Sequence, residues 1–222
     1  MKKFIAVLAA LIFISSFALA EGYKVGDTVV LGQYEQDNDP SAKEPIEWQV
    51  LEVDGDRALI LSKLCLEVVI FYPERVPMYW GKSDLRKWMN GEFYEQAFSS
   101  EEKDSILLST IKNANPHGMK GAGQDTEDYV FLLSKEEVLN FFPSMPERVA
   151  YPTEYVKAKG CTLSPEIGSC RWWTRSNGAR KVDMWGIRLD GRMTAYGMQD
   201  VDWPGNTMRP AMWIKNNNII KN

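Results

Sequence analysis

Hydrophobic and polar residues alternate with a period of two in several short segments, which is the pattern of half-buried β-strands. The clearest example runs over Ile46–Val53 and returns over Arg57–Leu64 after an Asp-Gly-Asp turn. An Asp-Gly pair between two such segments favours a tight hairpin, because the turn needs residues that tolerate positive φ. A second Asp-Gly pair separates Met184–Leu189 from Arg192–Met198 and predicts a second hairpin.

Helical signals lie between these two hairpins. Ser83 is placed to cap a helix over Asp84–Asn90, and Ser134 opens a capping box that predicts a helix through Phe142. A third short helix is predicted over Thr153–Lys159. Further strands are predicted over Val25–Gln33, Ile106–Ile111, Tyr129–Leu133, Met208–Ile214 and Trp172–Arg175, the last with no pairing partner nearby in the sequence.

The N-terminus has the composition of a secretory leader. Lys2 and Lys3 precede an apolar segment over Phe4–Leu19, and the following small residues fit a cleavage site after Ala20. The alternative is an uncleaved membrane anchor, but the apolar segment is short for a bilayer span. We therefore expect residues 1–20 to be a signal peptide and residues 21–222 to form one exported domain, in the periplasm, at the cell surface or outside the cell. No second apolar segment predicts a membrane span.

The charge balance narrows the range of partners. The formal net charge is −4, and cleavage of the leader removes two lysines and makes the mature chain more negative. Nonspecific binding to nucleic acid or to anionic lipid requires a positive surface. We expect no nucleic-acid partner, and no motif indicates a cofactor.

Few residues could carry out catalysis. His117, the only histidine, lies in a turn-rich loop, and serine or cysteine nucleophiles usually need a histidine base. We therefore predict no catalytic residue and no metal site. Asp37, Asp39 and Glu44 could offer oxygens to calcium, but the same acidic segment equally predicts a turn in which side chains bond to the backbone. We favour the turn, and calcium binding stays open.

Three cysteines occur in the chain. Cys161 and Cys170 bracket a loop that contains proline and glycine, and in an exported protein this predicts a disulfide between them. The alternative is two separate thiols. Cys65 lies in an apolar segment and is expected to be a small buried residue.

Arginine and tryptophan are concentrated in the last quarter of the chain. Strand alternation would send Trp172 and Trp173 to opposite faces, one into the core and one to a surface. Arg175 and Arg209 are expected to pair with buried acids or carbonyls. Aromatic residues with arginine are typical of binding hot spots, although they could equally pack the sheet. The predicted ligand-binding residues are Trp185, Arg188, Arg192, Tyr196 and Trp203.

The order of motifs resembles a bacterial, often exported family of domains of unknown function. The resemblance rests on Gly26–Asp37, Glu44–Leu51, Leu85–Tyr94, Trp172–Ser176 and Arg209–Ile214. The closing Arg-Pro strand also resembles the C-type-lectin-like superfamily in its formylglycine-generating-enzyme branch. This resemblance implies an α+β, C-type-lectin-like fold, with short helices packed on twisted antiparallel sheets.

Three functions are compatible with these patterns. The first is a secreted, non-enzymatic binding module that recognises a protein or glycan through its C-terminal sheet. The second is an exported enzyme related to the formylglycine-generating branch with an altered site. The third is a structural envelope protein.

Overall fold

The computed structural model describes residues 22–194 and 200–216, and it has an α+β architecture. The strands are β1 (Thr28–Tyr34), β2 (Glu44–Asp54), β3 (Arg57–Ser62), β4 (Glu67–Val68), β5 (Ser109–Ile111), β6 (Thr126–Asp128), β7 (Trp172–Asn177), β8 (Met184–Ile187), β9 (Met193–Thr194), β10 (Thr207–Met208) and β11 (Ala211–Lys215). The helices are α1 (Asp84–Trp88), α2 (Tyr94–Ala97), α3 (Ser100–Lys103), α4 (Lys135–Phe141), α5 (Met145–Arg148) and α6 (Glu154–Ala158).

The first sheet joins the start of the domain to its end. Its strand order is β1-β2-β3-β11, and all three pairings are antiparallel. The predicted hairpin between β2 and β3 is confirmed, and Gly55 in its turn has a φ of 61°. Because β11 pairs with β3 over Arg57–Leu61, this strand completes the sheet that the N-terminal hairpin begins.

The second sheet carries the C-terminal hairpin. Its order is β4-β10-β7-β8-β9, with β10 parallel to β7 and the other pairs antiparallel. The predicted strand over Met208–Ile214 is divided in two, because Pro210 lacks the N–H that an uninterrupted ladder needs. As a result β10 belongs to the second sheet and β11 to the first, so this segment connects the two sheets.

Strand β7 differs from the sequence prediction in two ways. It pairs with β8, the next strand along the chain, where no nearby partner was expected. Trp172 and Trp173 are both 0% exposed, so the prediction that one reaches a surface is wrong. The reason is that both faces of β7 are covered, and a strand covered on both faces has no polar side.

The segment predicted as a strand over Tyr129–Leu133 forms only an isolated bridge, between Phe131 and Ala211. The strand that pairs with β5 is β6, which ends at Asp128, immediately before this segment. Val130, Leu132 and Leu133 are all fully buried, so the apolar segment that suggested a strand is core-filling loop.

The capped helices form as predicted. Ser83 Oγ accepts a hydrogen bond from Arg86 N at 3.1 Å at the start of α1. Ser134 and Glu137 form the reciprocal capping box of α4, with bonds of 3.1 and 2.8 Å. No helix within the described ranges is both long enough and apolar enough to cross a bilayer.

Candidate functional site

Four of the five predicted ligand-binding residues lie within the described part of the chain. Trp185 is half-buried, and the Lys135 ammonium lies over its indole ring, with Nζ 4.3 Å from the ring centroid. Trp203 is half-buried too, and its buried Nε1 has no hydrogen-bond partner within residues 22–194 and 200–216. Arg188 and Arg192 are exposed on the β8–β9 hairpin. Tyr196 lies outside the described residues.

The tip of the β8–β9 hairpin is docked against α5. Gly191 has a φ of 81°, and a Cβ at this position would lie 1.8 Å from the Met145 carbonyl oxygen. Only glycine allows this approach. The Ser169 hydroxyl donates to the Leu189 carbonyl at 2.5 Å and ties the same hairpin to the loop before β7. The hairpin tip is therefore held on two sides.

The loop before β7 is closed by its own backbone. Ser164 N donates to Ser169 O at 2.8 Å, and Gly168 N donates to Ser164 O at 2.9 Å. Pro165 and Gly168, which suggested a turn in the sequence, lie inside this closed loop. The loop and the hairpin tip form two walls of one pocket.

This pocket, called here the arginine pocket, has a volume of about 290 Å³. It is lined by Ser164, Glu166, Ile167, Arg171, Arg188, Leu189 and Asp190. Arg171 is only 7% exposed, and its buried Nε has no hydrogen-bond partner in the part of the chain that the structure describes. Among residues 22–194 and 200–216, neither Arg171 nor Arg188 has an ion-pair partner. The pocket therefore contains two guanidinium groups with no counter-ion from these parts of the chain.

One acidic residue of the pocket is already engaged in an ion pair. Asp190 accepts from Arg192 Nε at 2.7 Å and forms an ion pair with it. Burial would raise the pKa of Asp190, but the hydrogen bonds and charge of Arg192 outweigh burial and lower it. Arg192, predicted as a ligand-binding residue, thus neutralises Asp190.

Arg171 is held in an unfavourable environment. Burial has the largest effect and lowers the pKa of Arg171, and the neighbouring positive charge of Arg188 lowers it further. The negative charge of Asp190 opposes both effects. An arginine stays protonated at neutral pH even so. A buried cation without a paired anion is costly, so an anion entering the pocket would relieve that cost.

A larger cavity of about 490 Å³ lies beside the β1–β2 connection. Its charged residues have partners inside the protein: Lys63 pairs with Glu47 at 3.0 Å, and Glu44 Oε2 accepts from Gln36 N at 2.7 Å. Asp37 accepts from Asp39 N at 2.8 Å. These bonds are those of the turn predicted from the sequence.

Carboxylate oxygens that could hold a metal ion lie close together at this turn, but the residues differ from Asp37, Asp39 and Glu44, the three considered from the sequence. Oxygens of Glu35, Asp37 and Glu44 lie within 4.8 Å of one another, and Asp39 is not part of the group. Asp39 Oδ1 instead accepts from Ser41 N at 3.0 Å. In Asp37 and Glu44, the same side chains that could bind a cation also accept backbone N–H groups.

The predicted disulfide between Cys161 and Cys170 is wrong, because both residues and Cys65 are free thiols. The Cys170 sulfur lies 3.6 Å from Thr207 Oγ1 and 3.7 Å from the Ala150 carbonyl oxygen. Burial raises the pKa of Cys161 to about 11. For Cys65, burial opposes ionisation, but the Cys170 thiol and the charge of Arg209 outweigh it and lower the pKa.

The other two arginine predictions are confirmed. Arg175 forms an ion pair with Glu137 at 2.5 Å and also donates to the Leu132 carbonyl at 2.7 Å. Arg209 Nε donates to the Ser62 carbonyl at 2.9 Å. Arg175 ties β7 to α4 and Arg209 ties the β10–β11 connection to β3, whereas Arg171, which has no such partner among the described residues, was not singled out from the sequence. Its only sequence signal was its place in the segment rich in arginine and tryptophan.

Residues 55–216 match the DUF6273 family, a domain of unknown function. The match covers well over half of the chain, so the chain belongs to this family. No curated protein and no solved structure matches the chain.

Proposed function

We propose that the mature chain is an exported, non-enzymatic binding domain that recognises a glycan or protein ligand. The arginine pocket carries this proposal, because it is a concave site lined by two arginines that have no ion-pair partner among the described residues. Pockets with a few convergent polar groups are the usual form of ligand sites.

We also propose a C-type-lectin-like topology for this domain, on the resemblance of its closing Arg-Pro strand. The two linked sheets and the short peripheral helices are compatible with that topology. The hairpin and the loop that form the pocket belong to the C-terminal half of the domain, which is also the part of the chain in which the ligand-binding residues were predicted.

The thiols do not favour the alternative of an enzyme. Formylglycine-type oxidation needs cysteines that a substrate can reach, but Cys65 and Cys170 are both 0% exposed. Cys161 is 8% exposed, and its raised pKa keeps it protonated at neutral pH. The thiolate is the reactive form of cysteine.

Binding is tested with the mature chain, residues 21–222, on glycan and protein arrays. Arg188→Ala removes an exposed side chain that has no partner among the described residues, so we expect it to remove binding without unfolding the domain. Lys120→Ala removes one positive charge from an exposed loop position and is the matched control. Binding that survives in Arg188→Ala would place the site elsewhere.

The flank of the pocket is tested by the double variant Trp185→Ala, Arg192→Ala. We expect weaker binding, because loss of Arg192 leaves Asp190 unneutralised beside the pocket.

Export is tested separately by expressing the full-length chain in a bacterial host. A secreted product that begins at Glu21 by intact mass is expected, and a cell-retained product that begins at Met1 would refute export.

A further inference from the structure

The chemistry of the arginine pocket points to one class of ligand, an inference that rests on the proposed binding function. Arg171 and Arg188 contribute two positive charges, and Glu166 contributes one exposed negative charge. Asp190 is neutralised by Arg192. Counted together with Arg192, the lining has an excess of one positive charge, which matches a ligand that carries a single negative charge.

Arginine side chains favour a carboxylate in this position. The planar guanidinium donates two parallel hydrogen bonds to a carboxylate, and such charge-assisted bonds are stronger than neutral ones. Arg171 is one of the residues that line the pocket, and its buried Nε has no hydrogen-bond partner among the described residues. A phosphate dianion would meet stronger repulsion from Glu166, and it exceeds the single charge that the lining can balance.

The rest of the pocket suits the hydroxyl groups and the ring of a sugar. Glu166 Oε2 accepts from Ser164 Oγ at 2.9 Å, so an acceptor and a hydroxyl stand together on the wall opposite the hairpin. Ile167 is 50% exposed and offers an apolar surface to the C–H face of a ring. We infer that the arginine pocket binds a carboxylated sugar, with the carboxylate on Arg171 and Arg188 and hydroxyl groups donating to Glu166.

The inference is tested by calorimetry or ligand-observed NMR on the mature chain with D-glucuronate and D-galacturonate. D-Glucose is the neutral control, acetate is the carboxylate without a sugar, and inorganic phosphate is the alternative anion. We expect at least one uronate to bind about tenfold or more tightly than glucose and acetate, since one charge-assisted contact contributes about that factor.

Three variants separate the contacts. Arg188→Ala is expected to weaken uronate binding about tenfold or more, and Lys120→Ala to leave it unchanged. Glu166→Ala is expected to reduce the preference for uronate over acetate, because it removes the hydroxyl acceptor and the repulsion of any carboxylate. Arg171→Met is expected to lose uronate binding without a lower melting temperature, because it replaces a buried unpaired charge. A merely structural Arg171 would lower that temperature.

The outcomes distinguish this inference from the proposed function. Equal affinity for acetate and uronate would overturn the assignment of a sugar, and tighter binding of phosphate would overturn that of a carboxylate. Uronate binding that Arg188→Ala leaves intact would overturn the site. A neutral glycan or a protein bound on the arrays through this pocket would overturn the inference while the binding function stands. No binding in either assay would overturn both.

Discussion

Replacement of Gly191 by alanine tests whether docking of the hairpin tip on α5 shapes the arginine pocket. The added Cβ would lie 1.8 Å from the Met145 carbonyl oxygen, whereas real Cβ contacts essentially never fall below 3.0 Å. The hairpin tip and α5 must therefore separate by at least about 1.2 Å. Arg188 and Asp190 lie on this hairpin, so the pocket should change shape with it.

Gly55→Ala is the matched control, because it lies in the other Asp-Gly turn. Gly55 has a φ of 61°, and its Cβ would meet no atom within 4 Å. Gly55→Ala thus carries only the backbone cost of placing alanine at positive φ, about 1 kcal/mol. Gly191→Ala carries that cost and the clash, and overpacking of this kind adds about 2 kcal/mol. At about 3 °C for each kcal/mol, the melting temperature should fall by about 3 °C for Gly55→Ala and about 9 °C for Gly191→Ala.

The assay is urea unfolding followed by tryptophan fluorescence, with thermal unfolding beside it. Similar slopes in urea would show that both variants unfold from a compact native state. Gly191→Ala should also weaken ligand binding, and Gly55→Ala should not. Equal destabilisation by the two substitutions would refute the contact between the hairpin tip and Met145.

Three further predictions concern the core and the thiols. Glu137→Gln breaks the ion pair with buried Arg175 and should lower the free energy of unfolding in urea by about 3 kcal/mol. The control Glu136→Gln changes an exposed neighbouring residue and should lower it by less than about 0.5 kcal/mol. Equal losses in the two variants would refute the ion pair. Burial, with the charge and hydrogen bond of Glu67, raises the pKa of Tyr34 above its ordinary value. The folded state therefore keeps this phenol protonated, so its contribution to stability is present below pH 10 and declines as pH rises, by about 1.4 kcal/mol at pH 11. Tyr34→Phe should show a smaller loss of unfolding free energy between pH 9 and 11, and an unchanged pH slope would contradict this reasoning. All three cysteines should react with iodoacetamide in denaturant without reductant, and a mass that shows only one alkylated thiol would restore a disulfide.

Local signals in the sequence accounted for the elements whose cause is local. Both Asp-Gly hairpins formed, because positive φ in a tight turn is a property of the turn residues themselves. The caps at Ser83 and Ser134 formed because the bonding groups lie within three residues of each other. The prediction of buried partners for Arg175 and Arg209 also held, because a charged side chain buried beside an apolar strand is costly unless it is paired or hydrogen-bonded.

Errors arose where the outcome depends on what covers a strand or a loop. Period-two alternation places one of two adjacent tryptophans outside only if one face of the sheet is open, and β7 is covered on both faces. The spacing of Cys161 and Cys170 suggested a bridge, but the loop between them closes through Ser164 and Ser169, and the Cys170 sulfur lies beside Thr207 Oγ1. Neither outcome is encoded within the segment itself.

The sequence by itself determined the turns, the caps, the α+β class and the concentration of arginine and tryptophan near the C-terminus, because each depends on residue type and short spacing. Only the tertiary structure decided which arginine lacks a partner. Arg171 and Arg175 look alike in the sequence, but Arg175 reaches Glu137 on α4, whereas Arg171 faces a pocket formed by the hairpin tip and the loop before β7. A partner for a charged side chain depends on which distant segments pack beside it, and that is a property of the whole fold.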